Sequence, residues 1–79
     1  MIVEVTQEHI DRAVRLDPWH CPIALALLDC GVDDAAVDGY TWDGYVAGSY
    51  VYKRLTARAQ HFADLFDDGT PVKPSRFRL

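Results

Sequence analysis

Asparagine is absent from this chain of 79 residues, and lysine occurs only at Lys53 and Lys73, so arginine carries most of the positive charge. With alanine, valine and aspartate common, this is the bias that a GC-rich genome imposes. No window approaches the roughly 20 consecutive apolar residues of a membrane span. Met1-Ile2-Val3-Glu4-Val5 lacks the basic and apolar regions of a secretory signal. The chain therefore reads as cytoplasmic, and its two cysteines, Cys21 and Cys30, as reduced thiols. There are no repeats, no low-complexity tract, and no zinc-finger, RNP-like or Gly-rich phosphate-cradling pattern. No motif names a reaction, and neither a cofactor nor a metal site is expected.

The most apolar stretch is Cys21-Pro22-Ile23-Ala24-Leu25-Ala26-Leu27-Leu28-Asp29-Cys30-Gly31. Pro22 suits the first helical position, where its missing N–H has no partner to lose. Gly31 suits the left-handed position that closes a last turn. Six apolar residues in a row, Ile23 to Leu28, leave no polar stripe, which predicts a central helix near 22–30 buried on nearly all sides. A buried parallel strand shares that signature, but low β-branching and the Pro/Gly punctuation favour the helix. Full burial of Ile23, Leu25, Leu27 and Leu28 would contribute roughly 1.5–3 kcal/mol each.

Around it the patterning predicts one small α+β domain over residues 1–79, ordered β-α-α-β-β-α-β, with about four mostly antiparallel strands backed by helices. Ile2–Val5 is β-branched and extended. Thr6 is a candidate N-cap for a helix running to about Leu16, whose apolar face is Ile10, Ala13 and Val14. Val5 and Ile10 form a hydrophobic staple, and Asp17-Pro18 ends the helix. Asp43-Gly44, set between aromatic and β-branched residues, predicts a hairpin turn between strands near 36–42 and 45–54. Thr56 caps a third helix with the stripe Ala59, Phe62, Ala63 and Phe66. Asp67-Asp68-Gly69 closes it, two acids opposing the macrodipole and needing a basic neighbour or water. Arg76-Phe77-Arg78-Leu79 alternates as a final strand.

Four candidate functions follow from particular residues. Cys21 and Cys30 suggest a disulfide or zinc pair, but nine residues of helix hold their Cα atoms about 13 Å apart. A disulfide needs about 7 Å or less, and two thiolates on one zinc are equally out of reach. Cys21, at a helix start and next to His20, is a weak candidate nucleophile for a thiol-dependent enzyme or redox protein. The aspartates 29, 33, 34, 38 and 43 lie in a segment without a basic residue, the feature an acidic nucleic-acid mimic would need. A net charge of −4 with two basic groups gives too thin a field of one sign for that. Direct nucleic-acid binding is equally poorly supported. The aromatic hairpin residues Tyr40, Trp42, Tyr45, Tyr50 and Tyr52 are the feature least explained by folding. With Tyr40 and Trp42 on one face, an exposed aromatic strand near a sheet edge would dock a protein partner or a second copy of the chain.

Thr6-Gln7-Glu8-His9-Ile10, the run Cys21-Pro22-Ile23-Ala24-Leu25-Ala26-Leu27, and Phe66-Asp67-Asp68-Gly69-Thr70-Pro71-Val72-Lys73-Pro74 with Phe77 and Leu79 resemble a family of short uncharacterised proteins of actinobacteriophages and their prophages. The resemblance covers the two ends of the chain and not the hairpin. It departs at Ala13, where many members carry glycine. It implies a phage gene acting in a bacterial cytoplasm and no active site. Together with the hairpin, it implies a small non-enzymatic protein that binds a host or phage protein.

Overall fold

The computed structural model describes residues 1–79 as an α+β arrangement of five strands and three helices. In chain order these are β1 (Ile2–Val5), α1 (Gln7–Arg12), α2 (Pro22–Asp29), β2 (Asp33–Val37), β3 (Thr41–Val46), β4 (Ser49–Arg54), α3 (Ala57–Asp67) and β5 (Ser75–Arg78). The strands form two antiparallel sheets, β1-β5 and β2-β3-β4, where one sheet of about four strands was expected. The terminal strands pair only with each other, Val3 opposite Phe77, so they do not extend the hairpin sheet.

The helix punctuation works as the sequence implies, with one addition. Pro22 opens α2, the Cys21 sulfur accepts the Ala24 N–H at 3.4 Å, and Gly31 adopts φ +92° beyond the C-cap. Thr56 Oγ1 accepts from Ala59 N at 3.3 Å. Thr6 caps α1 in a capping box whose return partner is His9 in place of the usual Glu or Gln. Thr6 N–H donates to His9 Nδ1 at 3.0 Å. A backbone N–H can only donate, so Nδ1 is the acceptor and the ring proton sits on Nε2. That N–H donates to Asp29 Oδ2 at 2.6 Å and ties α1 to the end of α2.

α1 is shorter than expected. It ends at Arg12, and Val14 and Leu16 lie exposed in the following loop instead of on an apolar helix face. The loop is held to the end of α3: Arg15 Nη2 donates to the Asp67 carbonyl at 2.6 Å, and Leu16 N–H to Asp67 Oδ1 at 3.0 Å. The Leu16 N–H gives the Asp67 carboxylate a backbone donor, while Arg15 satisfies that residue's carbonyl and forms no ion pair with either acid. α2 is also less enclosed than its composition suggests. Ile23 and Leu27 are fully buried, Leu25 is half-buried, and Leu28 is 43% exposed, so its burial contribution is largely unrealised.

The main correction concerns the hairpin. Asp43-Gly44 is not a turn; both residues lie inside β3. The chain reverses at Ala47-Gly48, where φ values of +51° and +82° form a two-residue turn between the paired Val46 and Ser49. Gly44 serves a different purpose. A Cβ there would lie 2.5 Å from Val32 Cγ1 and 2.9 Å from the Asp33 carbonyl oxygen, so glycine admits the chain entering β2. Moving the turn by four residues changes which partners face each other. Trp42 now points inward at 1% exposure and is the largest fully buried side chain, in a core cluster of 17 residues with Ile23, Leu27 and Phe62. Its indole N–H finds no hydrogen-bond partner, a cost the surrounding packing must offset.

Two measurements check this account. In urea denaturation, Gly44→Ala is expected to lose about 1–3 kcal/mol through overpacking. Ala47→Asn, which tolerates the left-handed region, should gain up to about 1 kcal/mol. A Gly44→Ala variant of unchanged stability would remove the close approach as the reason for glycine. The second concerns Asp38, whose Oδ1 accepts the N–H groups of Thr41 at 2.8 Å and Tyr40 at 3.0 Å. These bonds, Thr41's first, hold its carboxyl below the ordinary 3.8. A depressed folded value means the stabilisation is present above 3.8 and is lost as pH falls through the lower folded value. The stability gap between wild type and Asp38→Ala should therefore close on acidification, which a pH series of melts would show.

Candidate functional site

Register determines what the β2-β3-β4 sheet presents. Directly opposed residues share a face, and the pairs Thr41–Arg54, Asp43–Tyr52 and Tyr45–Tyr50 lie on one side. The pairs Trp42–Lys53, Gly44–Val51 and Val46–Ser49 lie on the other. The second side carries Trp42 and Gly44 into the buried core. The first is covered by no other element: Tyr45, Tyr50 and Tyr52 are 42%, 56% and 65% exposed. β2 adds Asp33, opposite Tyr45, and Ala36, opposite Asp43.

The three tyrosines are partly ordered by their neighbours. The Tyr45 and Tyr50 rings meet at 5.5 Å between centroids with a 59° tilt. The Tyr50 hydroxyl donates to Asp43 Oδ2 at 2.7 Å. That hydrogen bond, followed by desolvation and the carboxylate's charge, raises the phenol above its ordinary 10.0. Tyr40 is exposed but lies in the turn before β3, outside the ladder. Of the five aromatic residues singled out from the sequence, the structure thus gathers Tyr45, Tyr50 and Tyr52 on one open face. It sets Tyr40 apart and removes Trp42 to the core. Trp42 cannot anchor an interface, because nothing outside the chain can touch it.

The Cys21 candidate lines a cleft of about 190 Å³ with Asp17, Asp38, Asp67, Phe62 and Phe66. The thiol is buried and already engaged by the Ala24 N–H. Burial pushes its pKa up, and although the Ala24 and Ile23 N–H groups pull the other way, the Asp67 charge adds to the rise. A nucleophile needs the opposite shift. His20 does not serve as its base: the exposed ring is bonded through Nδ1 to Asp17 Oδ2 at 3.0 Å. Cys30 is exposed beyond the end of α2, and both thiols are free. No disulfide joins them, and no group of histidines, cysteines or acids is arranged to hold a metal ion.

The acidic segment is likewise occupied with structure. Asp29 is bonded to His9, Asp38 to the turn before β3, and Asp43 to Tyr50. Only Asp33 and Asp34 of that segment are without a side-chain bond. Sequence reasoning missed the His9–Asp29 tie, whose signal was the spacing Thr6-x-x-His9, a capping box with an unusual third position. It also missed the exposed Leu16 and Trp19 in the loop before α2.

The chain matches no protein-family profile, no curated protein and no solved structure. The fold and site together define a small α+β domain with an open tyrosine-bearing sheet face. No helix is long and apolar enough to cross a membrane.

Thiol reactivity separates the two cysteines. In the native protein a disulfide reagent such as DTNB is expected to titrate Cys30 promptly and Cys21 only after denaturation, and native Cys30→Ser should be silent. Fast native reaction of Cys21 would restore it as a candidate nucleophile.

Proposed function

We propose that this protein is a non-enzymatic docking module that binds another protein through the outer face of β2-β3-β4, with Tyr45, Tyr50 and Tyr52 as anchors. The observation that carries this reading is the uncovered tyrosine triad on one strand face, in a chain with only a small core to fill. Tyrosine is favoured at interfaces because a large, rigid ring is buried at little entropic cost while its hydroxyl keeps a partner. In line with the family resemblance, the partner is a host or phage protein and the setting a bacterial cytoplasm.

The same face argues for protein over nucleic acid. Stacking platforms for single strands combine aromatic rings with a basic groove. Here Asp33 and Asp43 stand among the rings, and only Arg54 is basic on that face. Those carboxylates would repel phosphates directly beside the stacking surface. An acidic mimic is supported no better, because Asp29, Asp38 and Asp43 are engaged in local bonds rather than arrayed as a phosphate-like track.

A pull-down from bacterial lysate tests the reading with three immobilised proteins: wild type, Tyr45→Ser/Tyr50→Ser/Tyr52→Ser, and a Leu16→Ser/Trp19→Ser control on the other exposed apolar loop. A protein retained by wild type and control but lost from the tyrosine variant is the expected result. Retention that ignores the tyrosines, or tracks Leu16 and Trp19 instead, would overturn it.

A further inference from the structure

The outer edge of β4 is a second exposed feature of this sheet, distinct from the tyrosine face. Hydrogen-bonded and non-bonded pairs alternate along an antiparallel ladder. The two-residue turn makes Val46–Ser49 a bonded pair, so Gly44–Val51 and Trp42–Lys53 are bonded too. The Leu55 N–H reaching the Tyr40 carbonyl at 2.7 Å continues the same alternation. The N–H and C=O groups of Tyr50, Tyr52 and Arg54 therefore point away from β3, along an edge that pairs with no other strand. All of β4 except half-buried Val51 is exposed. The opposite edge of the sheet differs, since Val37 N–H of β2 is bonded to the Pro18 carbonyl at 2.9 Å.

We propose that this edge pairs with its own copy: two chains join β4 to β4 about a two-fold axis at Tyr52 and form one continuous six-stranded antiparallel sheet. The proposal rests on the reading of this sheet as a docking surface. It commits to a second copy because the strand is complementary to itself in one register. With Tyr52 opposite Tyr52, all three outward-pointing residues pair, and Tyr50 faces Arg54 of the second copy at both ends. That places each guanidinium against a tyrosine ring whose hydroxyl is held by Asp43, a cation–π contact beside a carboxylate. Neither Arg54 nor Asp43 belongs to an ion pair within the chain. On the inner face Lys53 falls opposite Val51, where its methylene stem lies along the valine and its charge reaches water.

Neighbouring registers are worse. Centring the axis on Lys53 sets two lysines face to face, and like charges directly opposed are destabilising. Centring it on Val51 leaves Arg54 opposite Gly48 and pairs only two outward residues. Charge and the number of outward residues paired together favour the register centred on Tyr52 over its neighbours. The tyrosine faces of the two copies then lie side by side on the same surface, doubling the platform offered to a partner. An edge pairing of this length falls at the low end of specific interfaces, about 1,200 Å² or less. Association should therefore be weak and dependent on concentration.

Sedimentation velocity on the full chain over a range from micromolar to millimolar tests the pairing, with circular dichroism checking that each variant is folded. Wild type is expected to pass from monomer to dimer. Tyr50→Arg sets arginine against Arg54, and Arg54→Glu sets a carboxylate near Asp43; each should weaken dimerisation about tenfold or more. A mixture of the two folded variants should recover it, because Arg at 50 then meets Glu at 54 while the other contact keeps its native pair. The double variant Tyr50→Arg/Arg54→Glu should recover it alone. A wild type that stays monomeric at millimolar concentration, a dimer indifferent to both substitutions, or a mixture that fails to associate would each overturn the proposal. A monomer that still captures a partner through its tyrosines would leave the docking function standing, which keeps the two failures distinct.

Discussion

Val32 and Asp33 cross so close to Gly44 that no side chain fits between them. The rest of the three-stranded sheet follows from this approach. It lets the segment leaving α2 enter β2 directly alongside β3, and it keeps Asp43 and Gly44 extended within the strand. The reversal falls instead at Ala47-Gly48, the next place where the backbone turns back on itself. In a β-strand the side chains alternate, so the position of the turn decides which residues are paired and which strand neighbours share a face. In this chain it sends Trp42 to the core and leaves Tyr45, Tyr50 and Tyr52 together outside.

The remaining polar contacts tie helix ends to one another and thereby use up most of the groups that looked chemically available. His9 links the start of α1 to Asp29 at the end of α2, supplying a donor to an acid that would otherwise oppose the helix macrodipole unaided. The Leu16 N–H does the same for the Asp67 carboxylate at the end of α3, and Arg15 satisfies the Asp67 carbonyl beside it. Cys21 spends its sulfur lone pair on the first turn of α2. A histidine, a thiol and several aspartates are thus committed to holding short elements in place, as a small core requires. On the outer face of β2-β3-β4 the one such commitment is the Tyr50–Asp43 bond, and the outward backbone groups of β4 have no strand partner.

Exposed sheet edges and exposed aromatic faces each carry a risk of indiscriminate pairing. β4 combines both, tempered by Lys53 and Arg54. In the proposed self-pairing those charges disfavour the register centred on Lys53 and permit the one in which each arginine meets a tyrosine. Specificity in such an edge comes from what it forbids as much as from what it attracts.

The α+β class, the buried α2 with its Pro22 and Gly31 punctuation, the Thr6 and Thr56 caps and the stripe on α3 were all legible in the sequence, because each depends on residues within a few positions of one another. The separation of Cys21 from Cys30 was legible for the same reason, since helical rise alone sets it. The tyrosines were visible as candidates, but not the face they share. Asp43-Gly44 carries a stronger local turn signal than Ala47-Gly48, and only contact with Val32 and Asp33, distant from any local window, reverses that preference. The separation of β1-β5 into its own sheet, the exposure of Leu28 and the end of α1 at Arg12 were likewise decided by packing partners that meet only in the folded chain. Local propensity determined which elements form; long-range packing determined which way the hairpin faces, and with it which aromatic residues stay exposed.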